Sequence, residues 1–423
     1  MARVFTPQDA SAILAATVRE ATGQELTLQQ INASNWVSIG EQLLTTGKEN
    51  VLNALSTVLF RELIAVRPYS GKFLTFRSKN NSLYQQRLRK ISFYAKDPMK
   101  AGNFNTNLSD GLNFAAGFTN GQNLDSNGVP QSQKSMWEQN PPIVAECFYG
   151  GSSVWQDSYQ VFEDQLDVAF RTPEDLVAFS NGYITEKMND IVSEEENFSR
   201  LCLLNYLAGV IDQTAVMPGS AKNMVTVYNN YFGTSKTAND LLTTDLTSFT
   251  EFFIATVKTD VRRLENRSAL YHDARKQTID GIDYSILRHT PKDRQRAIFY
   301  ADFWTKVEAM VKPQIFNDQY LSIDNFEAVD FWQNENPSNA AAIDVVPAIY
   351  DPVNKVQIAG NRVQQSYILG TIHDEDALWV DFQLKAAAST PLEARKRYRN
   401  VWYSIAENNC NDFTEKGIVY YLA

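Results

Sequence analysis

Thr172-Pro173-Glu174-Asp175 opens the strongest local pattern in the chain. A threonine cap precedes a proline at the first helical position. Two acids then occupy the positive end of the helix dipole. Val177, Ile184, Met188, Ile191, Phe198 and Cys202 follow at helical spacing. The pattern holds to about Ala208, and Gly209 reads as the stop. The spacing predicts a helix over 173–208, roughly 36 residues or about 54 Å at 1.5 Å per residue. An ordinary globular helix is about a third of that length, so the rest of the fold must accommodate a long rod. Gly182 and the Glu194-Glu195-Glu196 run are points where it can bend.

Ahead of this rod the texture is different. "GKFLTFRS" and "YQQRLRKISFYAK" alternate like strands. The stretch "AGNFNTNLSDGLNFAAGFTNGQNLDSNGVPQSQKS" has no periodicity, and after Pro142 "IVAECFYGGSSVW" resumes the strand pattern. This predicts a two-stranded excursion over 69–154 with a polar tip. An isolated hairpin is marginal in water, so such an arm needs something to lie on. Upstream, Thr6-Pro7-Gln8-Asp9 reads as a helix start with Ile13, Leu14 and Val18 on its apolar face. A second helix is predicted from about Lys48 to Ala65, on Val51, Leu52, Leu55, Val58 and Leu59.

Downstream, Phe249, Phe252, Phe253, Val257, Val261 and Leu264 mark a helix. "RAIFYA", "IDVVPAIY" and "QSYILGTI" read as strands, and "DFWTKVEAMVKPQIF" as a helix. Apolar residues then run almost to the last position, in Val401 to Ile405 and again in Ile418 to Leu422.

A hydrophobic content of 44% in 423 residues supports a sizeable core. No run of 18 apolar residues occurs, so no membrane partner is expected. The N-terminus lacks the basic start and clean apolar run of a secretory signal, which makes the cytoplasm the default compartment. Cys147, Cys202 and Cys410 form no CxxC and read as buried small hydrophobes. His272, His289 and His373 make no HExxH pair, and "HDED" from His373 reads as a solvated turn. Phosphate-loop, dinucleotide and nucleophile-elbow motifs are absent from the sequence. No catalytic residue, cofactor or metal is expected. The enzyme alternative is a carboxylate-based cytoplasmic hydrolase, since 49 acids supply chance carboxylate pairs in any fold. A formal net charge of −10 argues against a nucleic-acid binder as a whole.

Charge is segregated along the chain. Residues 61–100 hold ten Lys and Arg against Glu62 and Asp97, a net +8. Residues 163–196 hold ten acids against Arg171 and Lys187, a net −8. The bland interpretation is two solvated faces that never meet. The sharper one lays the basic arm of one copy on the acidic helix of the next. Its candidate contact residues are Arg77, Lys79, Arg87, Arg89 and Lys90 against Glu163, Asp164, Asp167, Glu186, Asp190, Glu194 and Glu195. Phe73, Leu88, Ile91 and Phe93 would supply apolar burial. A contact between different patches on successive copies is heterologous and makes rings or open lattices.

These features, in this order, resemble the major capsid (head) proteins of tailed bacteriophages with the Hong Kong 97-type fold. "VWQDSYQVFEDQLDVAFRTPEDLVAFSNGYITEKMNDI" resembles the entry to the spine helix in small-phage and crAss-like head proteins. "DEDALWVDFQLKAAASTPLEARKRYRNVWYSIAENNCNDF" resembles their closing segment. The resemblance implies an α+β chain with an N-terminal arm over 1–68 and an extended β-hairpin arm over 69–154. A peripheral domain with the spine helix would follow over 155–212, an axial α/β domain over 213–375, and a return to the peripheral domain over 376–423. On this basis 401–405 and 418–422 would both be strands of the peripheral sheet, apolar on both faces. The implied partners are other copies in hexamers and pentamers, portal and other head proteins, a scaffold protein, and packaged DNA without sequence-specific contacts. The implied location is the virion, reached from the host cytoplasm. The structural alternative is another virion lattice protein, a tail or sheath component.

Overall fold

The computed structural model describes residue 12 and residues 14–19, 36–45, 72–73, 88–93, 144–149, 153–162, 185–273, 277–279, 282–284, 286–311, 326–351 and 356–423. Residues 14–19 are helical, and Leu14 and Val18 are buried as their spacing predicts. A helix the spacing did not single out, α1, covers Trp36–Thr45 and buries Trp36. The helix expected at 48–65 lies outside the described residues.

β1 (Leu88–Phe93) and β2 (Val144–Tyr149) pair antiparallel, from Leu88 opposite Tyr149 to Phe93 opposite Val144. They fall within the stretch predicted as an excursion, whose polar part lies outside the described residues. β3 (Ser153–Phe162) follows directly. The long helix, α2, is described over Thr185–Asp212, 28 residues, or about 42 Å. It runs past Gly209 instead of stopping there. A Cβ on Gly209 would sit 2.3 Å from the Phe413 ring. That glycine therefore serves a close approach, not a helix end.

β4 (Ala221–Asn223) leads into α3 (Met224–Phe232), where the Asn223 side chain accepts from Val225 N and Gly233 ends the helix at φ 66°. α4 (Ala238–Leu242) starts on a reciprocal Thr237–Asp240 capping box. α5 (Leu246–Glu265) turns Phe249, Phe253, Val257 and Leu264 inward, as their spacing predicts. A short hairpin, β5 (Gln277–Ile279) and β6 (Ile282–Tyr284), precedes β7 (Gln295–Tyr300) and α6 (Ala301–Val311). Next come β8 (Phe326–Val329), β9 (Ile343–Val345), β10 (Ala348–Asp351), β11 (Val356–Ala359) and β12 (Val363–Gln365). The strand expected in "IDVVPAIY" is thus two strands. Pro347, which has no N–H to give a ladder, stands at the break. β13 (Tyr367–Asp374), β14 (Leu378–Ser389), β15 (Tyr398–Asn411) and β16 (Gly417–Leu422) complete the chain.

Two sheets organise the fold. One has five strands in the order β4-β16-β13-β7-β8; the other has three, β14-β15-β3, all antiparallel. The two final apolar segments therefore lie in different sheets, contrary to the single peripheral sheet that the resemblance implies. β15 lies in the three-stranded sheet and alternates. Val401, Tyr403 and Ile405 are buried, while Trp402 between them is 39% exposed. β16 lies inside the five-stranded sheet, with Ile418, Val419, Tyr420 and Leu422 all fully buried. The difference is what covers each strand. β15 buries one face over 399–405, and on its other face Trp402 stays exposed while Ala406 and Cys410 are buried. β16 has helices on both faces: Phe253 of α5 meets Tyr420 edge-on at 5.5 Å, and α2 contacts the strand from the other side.

α2 serves both sheets. Met188, Ile191 and Val192 are buried toward its N-terminal end, and Phe198 meets Phe382 of β14 at 5.8 Å. Leu203, Tyr206, Leu207 and Val210 enter the same core as the five-stranded sheet. Beneath that sheet Asp260 is fully buried and answered on every side. Lys222 Nζ donates to both its oxygens at 2.6 and 2.7 Å, and the Tyr420 hydroxyl donates at 2.9 Å. Such a charge is tolerated inside only because it is paired and hydrogen-bonded.

The "HDED" stretch is not a solvated turn. His373 is the penultimate residue of β13 and fully buried. Its ring lies 5.5 Å from that of Tyr206, and neither ring nitrogen has a hydrogen-bond partner among the described residues. Burial, with Arg296 opposite it on β7, pulls its pKa down to about 3. Glu375 and Asp376 do face solvent, paired with Arg294 and Arg296.

Three outcomes are expected. Removing 420–423 strips β16 of Tyr420 and Leu422 and takes away its pairing with Lys222 and Asn223 of β4 and with Tyr367 to Gly370 of β13, so the protein should be recovered as insoluble material. Gly209→Ala forces Phe413 to move and should destabilise by about 1–3 kcal/mol, read as a lower urea midpoint. His373 in the unfolded chain takes a proton near its ordinary 6.5, but in the folded chain only near 3. Its contribution is therefore whole above 6.5 and is lost as pH falls toward 3. His373→Phe should flatten the pH dependence of stability through that window, measured by urea titrations across it.

Candidate functional site

The β1–β2 ribbon has two unlike faces, because successive side chains point to opposite sides. On one face Ile91 is 47% exposed and Phe93 is 61% exposed. Across the register, Val144 is 48% exposed and Phe148 is 46% exposed. On the other face Lys90 and Ser92 turn inward and meet the protein's own body. Lys90 Nζ pairs with Asp412 Oδ2 and Glu415 Oε1 and reaches Thr414 Oγ1 at 3.3 Å. Arg288 Nη2 donates to Ser92 Oγ at 2.6 Å, and its Nε lies 3.3 Å from Glu415 Oε1. Burial alone would lower the Lys90 pKa. Asp412 and Glu415 outweigh it and raise the value above the usual lysine range.

The candidate contact residues fall into three groups. Arg77, Lys79, Arg87, Glu163, Asp164 and Asp167 lie outside the described residues. Arg89 and Glu186 are placed by their backbone, in β1 and α2. The remaining four have described side chains. Lys90 is engaged within its own chain. Asp190 pairs with Lys187 at 3.1 Å, and Lys187 also lies 3.5 Å from Asp157 of β3. Glu195 is buried, and Glu194 is exposed. The outward stripe of α2 is therefore Asp190, Ser193, Glu194, Asn197 and Leu201, which is less acidic than the sequence window suggests.

Phe73, expected to cover a neighbouring copy, is instead fully buried in its own chain. The Arg200 guanidinium lies 4.9 Å from its ring centroid and 3.7 Å from that of Phe331. Arg200 is held there by Glu196 Oε1 at 2.9 Å and the Phe331 carbonyl. A planar cation between two aromatic faces gains from both while its edge stays hydrogen-bonded. Lys72 pairs with Asp330, and the Phe73 N–H donates to Glu327.

A second uncovered surface lies on the three-stranded sheet. Val154 and Phe162 of β3 and Trp402 of β15 are 53%, 40% and 39% exposed. Between them on the same face stand Gln156, which donates to Ser404 Oγ at 2.9 Å, and Gln160, opposite Asn400. Neither strand places a charged side chain there.

Cys202 and Cys410 are free and buried, and burial pushes the Cys202 thiol up to about 12. Among the described residues no group of three or more His, Cys, Asp or Glu is placed to hold a metal ion. No described helix is long and apolar enough to cross a membrane. Arg288, Asp412 and Glu415 were not singled out in the sequence. Lys90 and Asp412 are 322 residues apart, and no local pattern links them.

No protein-family model matches the chain, and no curated protein matches it. Solved structures do. A chain in the capsid structure of Staphylococcus phage Andhra superposes with a TM-score of 0.50 at 14% identity, covering 84% of each chain. A chain in the structure of the head fiber and inner core protein gp22 of native bacteriophage P68 also gives 0.50, at 11% identity, covering 83% of this chain and 84% of that one. The chain therefore shares its overall fold with chains found in phage capsid and head structures.

Proposed function

We propose that this chain is the major capsid protein of a tailed phage, and that its copies assemble into the shell of the virion head. Copies ring into hexamers and pentamers, which close into an icosahedral container for double-stranded DNA. The observation that carries this is the ribbon root. In a chain with a capsid-protein fold, one ribbon face is held by the body and the other leaves four apolar side chains exposed.

An uncovered apolar face of this kind favours contact with a second copy. Fully burying one Phe or Ile side chain contributes about 1.5–3 kcal/mol, and exposed ion pairs add about 0–1 kcal/mol each. Single contacts are weak, but a closed shell repeats them around every ring. Net charge bears on where copies can meet. At −10 they repel one another, so approach is easiest through faces that carry no like charge. The open face of the three-stranded sheet meets that condition along β3 and β15, and the ribbon's outer face does so except at Glu146, opposite Ile91. Packaged DNA would touch such a shell without sequence-specific contacts, and portal, scaffold and other head proteins are the further partners this function needs.

The test is to raise the concentration of purified protein and image it by electron microscopy. Closed icosahedral particles are expected. Tubes or flat sheets would move the chain to the tail or sheath components. A small oligomer with hydrolase activity would overturn the proposal. The variant Ile91→Asp with Phe93→Asp should lose particles while its urea midpoint stays within about 0.5 kcal/mol of the parent, because both side chains are exposed.

A further inference from the structure

The chain crosses between its two sheets at neighbouring turns. Residues 375–377 lead from β13 of the five-stranded sheet to β14 of the three-stranded one, and residues 412–416 lead back from β15 to β16. The turns are bonded to each other: Asp412 N–H donates to the Ala377 carbonyl at 2.8 Å, and Asp374 N–H to that of Lys416 at 2.9 Å. Phe413 pins the second turn down. Its ring stacks on Tyr206 of α2 at 5.8 Å and 3°, over Gly209, and its carbonyl accepts from Asp273 N–H at 2.7 Å. This seam is a rigid place.

The ribbon is fastened to that seam. Asp412 spends one oxygen inside the turn, where Oδ1 accepts from Thr414 N and Oγ1 at 2.8 and 2.7 Å. Its other oxygen, Oδ2, takes Lys90. Glu415 takes Lys90 and Arg288 together. Two nearly buried acids in one short turn repel each other unless cations answer them. One cation belongs to the ribbon; the other, Arg288, also holds Ser92 of the ribbon. Swinging the ribbon away would strip Lys90 from both carboxylates at once.

We propose that Lys90, Arg288, Asp412 and Glu415 form a clasp that presets the direction in which the ribbon leaves the body, holding Ile91, Phe93, Val144 and Phe148 outward as a preformed docking edge for a second copy. The docking role rests on the capsid proposal; the clasp does not. A preset edge has already met its ordering requirement before association, so assembly starts at lower concentration than with a loose arm.

Hydrogen exchange on the full, unassembled chain tests the clasp. Lys90→Met and, separately, the isosteric Glu415→Gln should each speed exchange of the 88–93 and 144–149 amides by about tenfold to a hundredfold. Amides of β13 and β16 should keep their protection, and Lys90→Arg should restore most of the ribbon's. Unchanged ribbon exchange in both variants overturns the clasp. So does loss of β13 and β16 protection in step with the ribbon, which would make the four residues a brace of the body. Microscopy of the parent protein is read separately. Absence of particles with an intact clasp sinks only the capsid proposal, and particles with unchanged exchange sink only the clasp.

Discussion

One helix has to satisfy two sheets, and the rest of the molecule follows from how α2 does so. Its first half is packed by the three-stranded sheet and its second half by the five-stranded one. Tyr206 occupies the crossover, stacked on Phe413 and tilted against His373. Gly209 one turn later lets Phe413 in, and Gly417 leaves room for the Tyr206 hydroxyl, which would lie 1.9 Å from a Cβ there. Two missing side chains therefore allow a helix, a turn and a strand to close on one tyrosine. With that contact in place the seam between the sheets is fixed, and the ribbon has a firm anchor.

Charge and apolar surface divide the work differently from what their positions in the sequence suggest. The basic window contributes Lys90 to an intrachain clasp and Lys72 to an intrachain pair with Asp330. The acidic window contributes Glu196 to holding Arg200. Much of the segregated charge, where side chains are described, is used to build the monomer. At the ribbon, Ile91, Phe93, Val144 and Phe148 are left exposed, on the face that also carries Glu146. Polar pairing sets geometry inside the chain, and apolar side chains are left at its surface.

Where local chemistry decides structure, the sequence was legible. The phenylalanine spacing of α5, the apolar run of β7 and the helix after it, and the strand pattern of β1 and β2 were all readable. Three errors share a cause, which is that a residue type has more than one use. Gly209 looked like a helix stop because glycine often is one; here its lack of a Cβ admits a ring from 204 positions away in sequence. Trp402 stood in an apolar run that read as core throughout, and so β15 and β16 seemed equally buried. His373 sat among acids and seemed solvated, whereas the strand carries it inward just before the turn. Of the candidate contact residues, the sequence supplied the charges and not their partners. The partners of Lys90 lie at the far end of the chain, and only tertiary structure brings them close.

β3 has a long wait for its neighbour. Tyr159 and Tyr403, which stack at 5.8 Å across the β3–β15 pair, are separated by 244 residues. At ribosomal speeds of 5–20 residues per second, that interval is roughly 12 to 50 s. Throughout it the backbone edge of β3 has no ladder and its valine and aromatic side chains have no sheet. An unpaired edge of that kind is a template for pairing with another chain. Newly made chains therefore depend on shielding, by a chaperone or by dilution, until the return strand is synthesised.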